Sequence, residues 1–160
     1  MVRSNQARIL RLATGMLRDP DVAQDVAQET FVRAFRFYGS FRSEAALSTW
    51  LYRIAVNLCI DAQRKQARTE RLADDDERAE RPDPSPLPDR ALEVRELARH
   101  AEAALQTLSP DHKAILVLRE VEGLSYAEIA RVLRIPKGTV MSRLFHARSN
   151  LQRSAHALAG

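Results

Sequence analysis

Apolar residues recur along the chain at helical spacing in two blocks, and a long stretch without any period lies between them. In the first block Ile9, Leu10, Leu12, Ala13, Met16 and Leu17 mark a helix from Gln6 to Leu17. Arg18-Asp19-Pro20-Asp21 ends it and starts the next, with Asp21 as the expected N-cap and Asp19 competing for that role. The following helix carries Val22, Val26, Thr30, Arg33 and Phe37 along one side, and Ala23, Ala27, Phe31, Ala34 and Phe35 widen its apolar stripe. Asp25, Gln28 and Glu29 lie outward, where a solvated acidic turn is the plainest reading. Gly39 to Glu44 reads as a loop. Ser48 then precedes a third helix whose packed face is Leu51, Ile54, Ala55, Leu58 and Ala62. Arg53, Asn57, Asp61 and Arg64 form a polar stripe on it at roughly one-turn intervals.

From Gln66 to Asp89 the pattern fails. ARTERLADDDERAE is highly charged, and PDPSPLPD holds most of the prolines. Such a stretch buries too little apolar area to offset its ordering entropy, so it is expected to be a flexible linker. Three segments follow: a module over 1–66, a linker over 67–89 and a second module over 90–160. In the second module Leu92, Leu97, Ala101, Ala104, Leu105 and Leu108 suit a core-facing helix. Ser109-Pro110 opens another, with proline at the first helical position, and its apolar run Ile115 to Leu118 leads to a Glu122-Gly123 break. Glycine is scarce and β-branched alternation is lacking. The expected fold class is all-α.

The last stretch, GLSYAEIARVLRIPKGTVMSRLFHARSNL, is the most informative. Ser125 and Glu128 have capping-box spacing. Ile129, Ala130 and Leu133 share one face of the short helix that follows. Pro136 stops that helix and suits the first turn of a new one. In the second helix Val140, Leu144, Ala147 and Leu151 form a buried stripe, while Lys137, Met141, Ser142, Phe145, His146 and Ser149 face the other way, flanked by Arg143 and Arg148. Two short helices of this kind suit a helix-turn-helix whose second helix enters a DNA major groove, although ordinary core packing gives the same stripe.

Charge favours the DNA reading. The net charge is +4, nearly all the positive side chains are arginine, and beyond Glu128 the chain carries no acid. A helix of one sign beside phosphates gains attraction and releases counterions. Asn57 has the chemistry to read a base edge, although an exposed asparagine is commonplace. Phe35, Phe37, Tyr38, Phe41, Trp50 and Tyr52 concentrate the aromatics near arginines, which suits unstacked bases. Most of them, Trp50 included, are nevertheless expected to form a small aromatic core.

The sequence has neither a glycine-rich phosphate loop nor a nucleophile elbow. The single cysteine, Cys59, lies on the packed side of its helix and is expected to be inert, with no disulfide. The four histidines have no ligand spacing, so no metal is expected. No apolar run is long enough to span a membrane and no signal peptide opens the chain, so a reducing, cytoplasmic setting is expected. The weight falls on binding rather than catalysis.

The order of parts is an acidic DVAQDVAQETF helix, a loop, an STWLYRIAVN helix, a proline-rich linker and GLSYAEIA followed by IPKGTVMSRLFHAR. In this it closely resembles the extracytoplasmic-function group of bacterial sigma factors, over nearly the whole chain outside the linker. The resemblance implies a non-enzymatic initiation subunit of RNA polymerase that needs no cofactor. It implies that Asp25, Gln28 and Glu29 dock on a coiled coil of the largest core subunit. It assigns the −10 element to the loop around Phe41 and Arg42 and to the helix with Arg53, Asn57 and Arg64, with a base held out of the stack. It assigns the −35 element to Lys137, Thr139, Met141, Ser142, Arg143, Phe145, His146 and Arg148. It further implies promoter DNA, the core enzyme and an anti-sigma protein as partners, without membrane insertion.

The chain departs from the family at three places. The helix that usually precedes the one near Gln6 is missing or nearly so, which is expected to expose part of the first core. Met141 and His146 stand where basic residues are common, and Arg134 stands where a turn glycine is common. Two other readings remain: a dimeric helix-turn-helix regulator, and a sigma mimic that sequesters an anti-sigma protein.

Overall fold

The structure, a computed structural model, describes residues 2–41, 46–73 and 88–159. Among these residues the fold is all-α. Its helices are α1 (Val2–Met16), α2 (Pro20–Arg36), α3 (Leu47–Leu72), α4 (Asp89–Gln106), α5 (Pro110–Leu116), α6 (Tyr126–Leu133) and α7 (Lys137–Ala159). A 3₁₀ turn spans Tyr38–Ser40, and a π-helical segment, Val117–Val121, continues α5.

Local chemistry sets the boundaries. Asp19, not Asp21, caps α2: its side chain accepts from the Asp21 backbone N–H, and Pro20 follows at the first helical position. Ser109 caps α5 in the same way, ahead of Pro110. Gly123, at φ 68°, closes the π segment in the left-handed region that glycine enters without steric cost. α3 runs on to Leu72, beyond Gln66 where the apolar period fails. Ala67–Leu72 is therefore helical, because its residues are good helix formers that need no buried face. Asp74-Asp75-Asp76 and the proline run lie outside the described residues.

In the first module α1, α2 and α3 pack against one another. Ile9, Leu12, Ala13 and Met16 of α1 are essentially inaccessible, as are Ala23 of α2 and Ala55, Val56 and Cys59 of α3. The exposed core expected near Gln6 is not found. The second module covers it: α1 lies against the π segment, and α3 lies against α5 and α6. Buried residues of both modules make one continuous apolar core. The two modules are docked against each other.

Two further expectations fail. On α4 only Ala104 is fully buried, while Leu92, Ala101 and Leu97 (70% exposed) face solvent. The helix lies chiefly along α7, so its first half extends past the core. The aromatic residues do not form a core either: Phe35 is 88% exposed, Phe37 and Tyr38 are exposed, and Phe41 and Trp50 are half-buried. Only Tyr52 among them is buried.

Candidate nucleic-acid and polymerase interfaces

The helix-turn-helix forms as its spacing requires. The Ser125 hydroxyl accepts from the Glu128 N–H at 3.1 Å and donates to the Glu128 carboxylate at 3.0 Å. The glutamate therefore holds the serine side chain rather than its backbone. Ile129 and Val132 take the buried positions on α6, with Ala130 and Leu133 half-buried beside them. Arg134 ends α6 in the left-handed region at φ 54°, ψ 47°, which turns the chain toward Pro136 and α7. Such a conformation costs a residue with a β-carbon roughly 1 kcal/mol.

α7 seats Val140, Leu144 and Ala147 in the core, and so turns the opposite face outward. Lys137, Met141, Ser142, Phe145, His146 and Arg148 are exposed there, and Thr139 and Arg143 are half-buried at its edges. The Ser142 hydroxyl donates to the Thr139 carbonyl at 3.2 Å. The Phe145 and His146 rings meet edge to face at 5.5 Å. Arg148 reaches back to Glu120 at 2.7 Å, and that hydrogen bond raises its pKa further. The face offers hydrogen-bonding and cationic groups around an apolar centre formed by Met141 and Phe145.

A second feature lies where the end of α2, the 3₁₀ turn and α3 meet. A cavity of about 290 Å³ opens there, lined by Arg33, Phe37, Ser40, Trp50, Ile54 and Asn57. Phe41 stacks between Tyr38, at 6.1 Å, and Trp50, at 5.0 Å, beside it. Aromatic faces, a cation and an amide around one recess can hold a planar heterocycle by stacking and edge hydrogen bonds. The polar stripe had pointed to Asn57. The wall from Arg33, Phe37 and Trp50 was not legible, because it needs the α2–α3 packing.

Arg53 sits one turn before Asn57 but points elsewhere. Its Nη2 donates to the Arg131 carbonyl in α6 at 2.7 Å, and its Nε is buried without a partner. Burial, then the nearby Arg134, lower its pKa. Arg64 is exposed farther along α3. Arg42 lies outside the described residues.

The third surface is the outer side of α2. Asp25 and Gln28 are exposed there, and Glu29 pairs with Arg33 at 3.1 Å. Val32 and Phe35 share this side with Gln28 at i+4 and i+7, and both are exposed. An exposed aromatic within a polar rim suits a protein partner. Periodicity places Phe35 on the inner stripe, but it does not resolve the edge of a stripe, and the structure turns the ring outward.

Among the described residues no group of histidine, cysteine, aspartate and glutamate could hold a metal, and no helix is long and apolar enough to cross a membrane. Among the described residues, two packed helical modules with an aromatic recess and a basic helix-turn-helix suit a DNA-reading transcription protein.

Comparison with known proteins narrows that class. Residues 1–69 match the family model of Sigma-70 region 2, and residues 99–151 match that of Sigma-70, region 4. The RNA polymerase sigma-H factor of Pseudomonas aeruginosa is 38% identical over 167 residues, an alignment covering 99% of this chain and 86% of that protein. The ECF RNA polymerase sigma-E factor of Haemophilus influenzae is 36% identical, covering 99% and 87%. The sigma factor RpoE of Bartonella quintana, solved with the anti-sigma factor NepR, superposes with a TM-score of 0.70 at 25% identity, covering 96% of this chain and 92% of that one. The chain belongs to the sigma-70 family, in its extracytoplasmic-function group, and is an RNA polymerase sigma factor for promoter-specific transcription initiation.

Proposed function

We propose that residues 1–66 bind core polymerase and the −10 element, that residues 90–160 bind the −35 element, and that residues 67–89 join them. The observation that carries this reading is the recess lined by Arg33, Phe37, Trp50 and Asn57. Its size and lining suit one unstacked base of the −10 element, with the Asn57 amide reading the base edge. Phe41, Arg42 and Arg64 contact the flanking strand, and Arg53 joins them once released from Arg131.

On the −35 side α7 lies in the major groove. Lys137, Thr139, Ser142, Arg143 and Arg148 supply phosphate and base-edge contacts. Met141 and Phe145 supply apolar contact suited to thymine methyl groups, and His146 a further edge contact. Asp25, Gln28 and Glu29, with Phe35 at their border, dock on the core enzyme. The chain reads promoters, and the catalysis of RNA synthesis belongs to the core. It works in the cytoplasm, where polymerase is, and an anti-sigma protein, like the one bound to the Bartonella relative, covers the same faces.

Run-off transcription with purified core on a promoter library tests this reading. Promoter-specific transcripts that require the chain are expected. Core binding without any transcript would identify a sigma mimic instead, and binding to duplex DNA without core would identify a conventional regulator.

A further inference from the structure

The outward face of α7 carries two large apolar side chains that the core does not use. Met141 is 54% exposed and Phe145 is 67% exposed, while the helix seats itself through Val140, Leu144 and Ala147. Met141 and Phe145 stand one turn apart, about 6 Å along the axis and about 40° around it, so they form one ridge. The Phe145 ring meets the His146 ring edge to face at 5.5 Å, which favours one orientation of the ridge's aromatic end.

The polar groups around the ridge are in part committed within the chain. The Ser142 hydroxyl donates to the Thr139 carbonyl at 3.2 Å, and Arg148 is turned back to Glu120 at 2.7 Å. Lys137 stays exposed and Arg143 is half-buried, which suits phosphates at the borders of the face. A helix built to read guanine presents arginine for a bidentate contact to the base edge. Here a thioether and a phenyl ring occupy the middle of the reading face instead.

Only one group in the major groove matches that surface. Thymine shows a C5-methyl there, cytosine shows a bare C5–H, and the minor groove offers no counterpart. A methyl set between Met141 and Phe145 removes apolar area from water, whereas a bare C5–H leaves a gap with lost dispersion contacts. A guanine edge against the ridge would lose the water on its O6 and N7 acceptors and gain no hydrogen bond. At about 3.4 Å per base pair, the 6 Å ridge covers roughly two base-pair steps.

We propose that Met141 and Phe145 make recognition of the −35 element depend on pyrimidine C5-methyl groups: thymine or 5-methylcytosine is accepted where uracil or unmodified cytosine is disfavoured. The proposal rests on α7 lying in the major groove and deepens that reading by naming the group that is read. It carries a consequence for regulation. A cytosine in the element becomes a better contact once methylated at C5, so the chain converts cytosine-5 methylation into promoter strength.

Selection from two duplex libraries tests it. Both are randomised over the −35 element, one prepared with thymine and one with uracil, and each is bound by the full chain together with core polymerase. The parent is expected to enrich elements with thymines within about two base-pair steps of each other, and to lose that enrichment with uracil. On an enriched element, each contacted thymine replaced by uracil is expected to weaken binding about fourfold, the effect of one buried CH₂-sized group. Replacing cytosine by 5-methylcytosine at the same position is expected to strengthen binding about fourfold. Met141→Ala with Phe145→Ala is expected to remove both differences and to retain helical circular dichroism, since both side chains are exposed. Equal binding of the thymine and uracil forms by the parent, or of the cytosine and 5-methylcytosine forms, would overturn the proposal, and neither comparison needs a variant to fold. Methyl discrimination that survives in the double variant would also overturn it, by placing the contact elsewhere. If core is not bound, the sigma-factor reading falls, while the same selection with the chain alone still decides the methyl contact. Enrichment of no duplex at all would overturn both.

Discussion

The backbone of Gly15 in α1 lies so close to Val117 of the π segment that a β-carbon added at Gly15 would stand 3.0 Å from Val117 Cγ1 and 3.2 Å from Cγ2. The two modules touch closely here, and glycine is what permits it. Gly15→Leu is expected to force α1 and the π segment apart and cost about 1–3 kcal/mol despite leucine's better helix propensity. Denaturant unfolding of the full chain measures this. A variant as stable as the parent would show that the seam adjusts freely.

Gln28 and Phe35 are exposed on the outer side of α2, and Glu29 beside them pairs with Arg33 of the same helix. Gln28→Ala with Glu29→Ala is expected to weaken core polymerase binding about tenfold, the loss of roughly 1–2 kcal/mol typical of a small contact group. Equilibrium binding to purified core checks it. An unchanged dissociation constant would leave these residues as a solvated face.

Asn57 is exposed at the mouth of the aromatic recess and forms no part of the core. Asn57→Ala is expected to slow promoter opening about tenfold or more, as the loss of one base-edge contact worth roughly 1–3 kcal/mol, with core affinity preserved. Permanganate footprinting of the melted region reads the opening step. Parent-like opening would remove Asn57 from the −10 assignment.

Arg134 adopts a left-handed conformation at the turn between α6 and α7. Arg134→Gly is expected to stabilise the chain by about 1 kcal/mol at most, since glycine meets no β-carbon clash there but loses more entropy on folding. It also removes the charge that faces Arg53. A thermal melt shows the gain, and a clear loss would mean that the arginine side chain contributes more than its backbone costs.

Cys59 is fully buried, and burial pushes its thiol up to about 12. An unfolded thiol ionises near about 8.5. Between those values the unfolded chain binds fewer protons, so this group's contribution is intact below pH of about 8.5 and is lost as pH rises toward 12. Lys113, whose pKa burial lowers, acts in the opposite sense, so the comparison is made between parent and Cys59→Ala. The parent is expected to lose stability more steeply above pH of about 8.5 than the variant. Native Cys59 is also expected to resist alkylation at pH 8, and rapid labelling of the folded chain would contradict its burial.

The sequence by itself determined the helices and the reading head. Periodicity placed Ile9, Leu12, Met16, Leu51, Ala55 and Leu58 inside, and proline and serine set the starts of α5 and α7's preceding turn. The stripe Val140, Leu144, Ala147 left only one face of α7 to be offered outward. These are local matters, decided within a turn or two of the chain, and they are written in spacing. The limits of that reading were local too. The charged stretch after Gln66 has no apolar period, yet its first residues continue α3, because helix propensity needs none.

Tertiary structure decided what lies between helices far apart in sequence. The recess that joins Arg33 and Phe37 to Trp50 and Asn57 exists only where α2 crosses α3. Of the aromatic residues, Tyr52 is buried, Phe37 and Trp50 line that recess, and Phe35 and Tyr38 face solvent. Glu122 looked like the residue before a turn, yet it is buried against Arg11 and Tyr52, more than a hundred and about seventy residues away in the chain. No pattern along the chain encodes that meeting, since a carboxylate's partner is chosen by the packing of α1, α3 and the π segment around it.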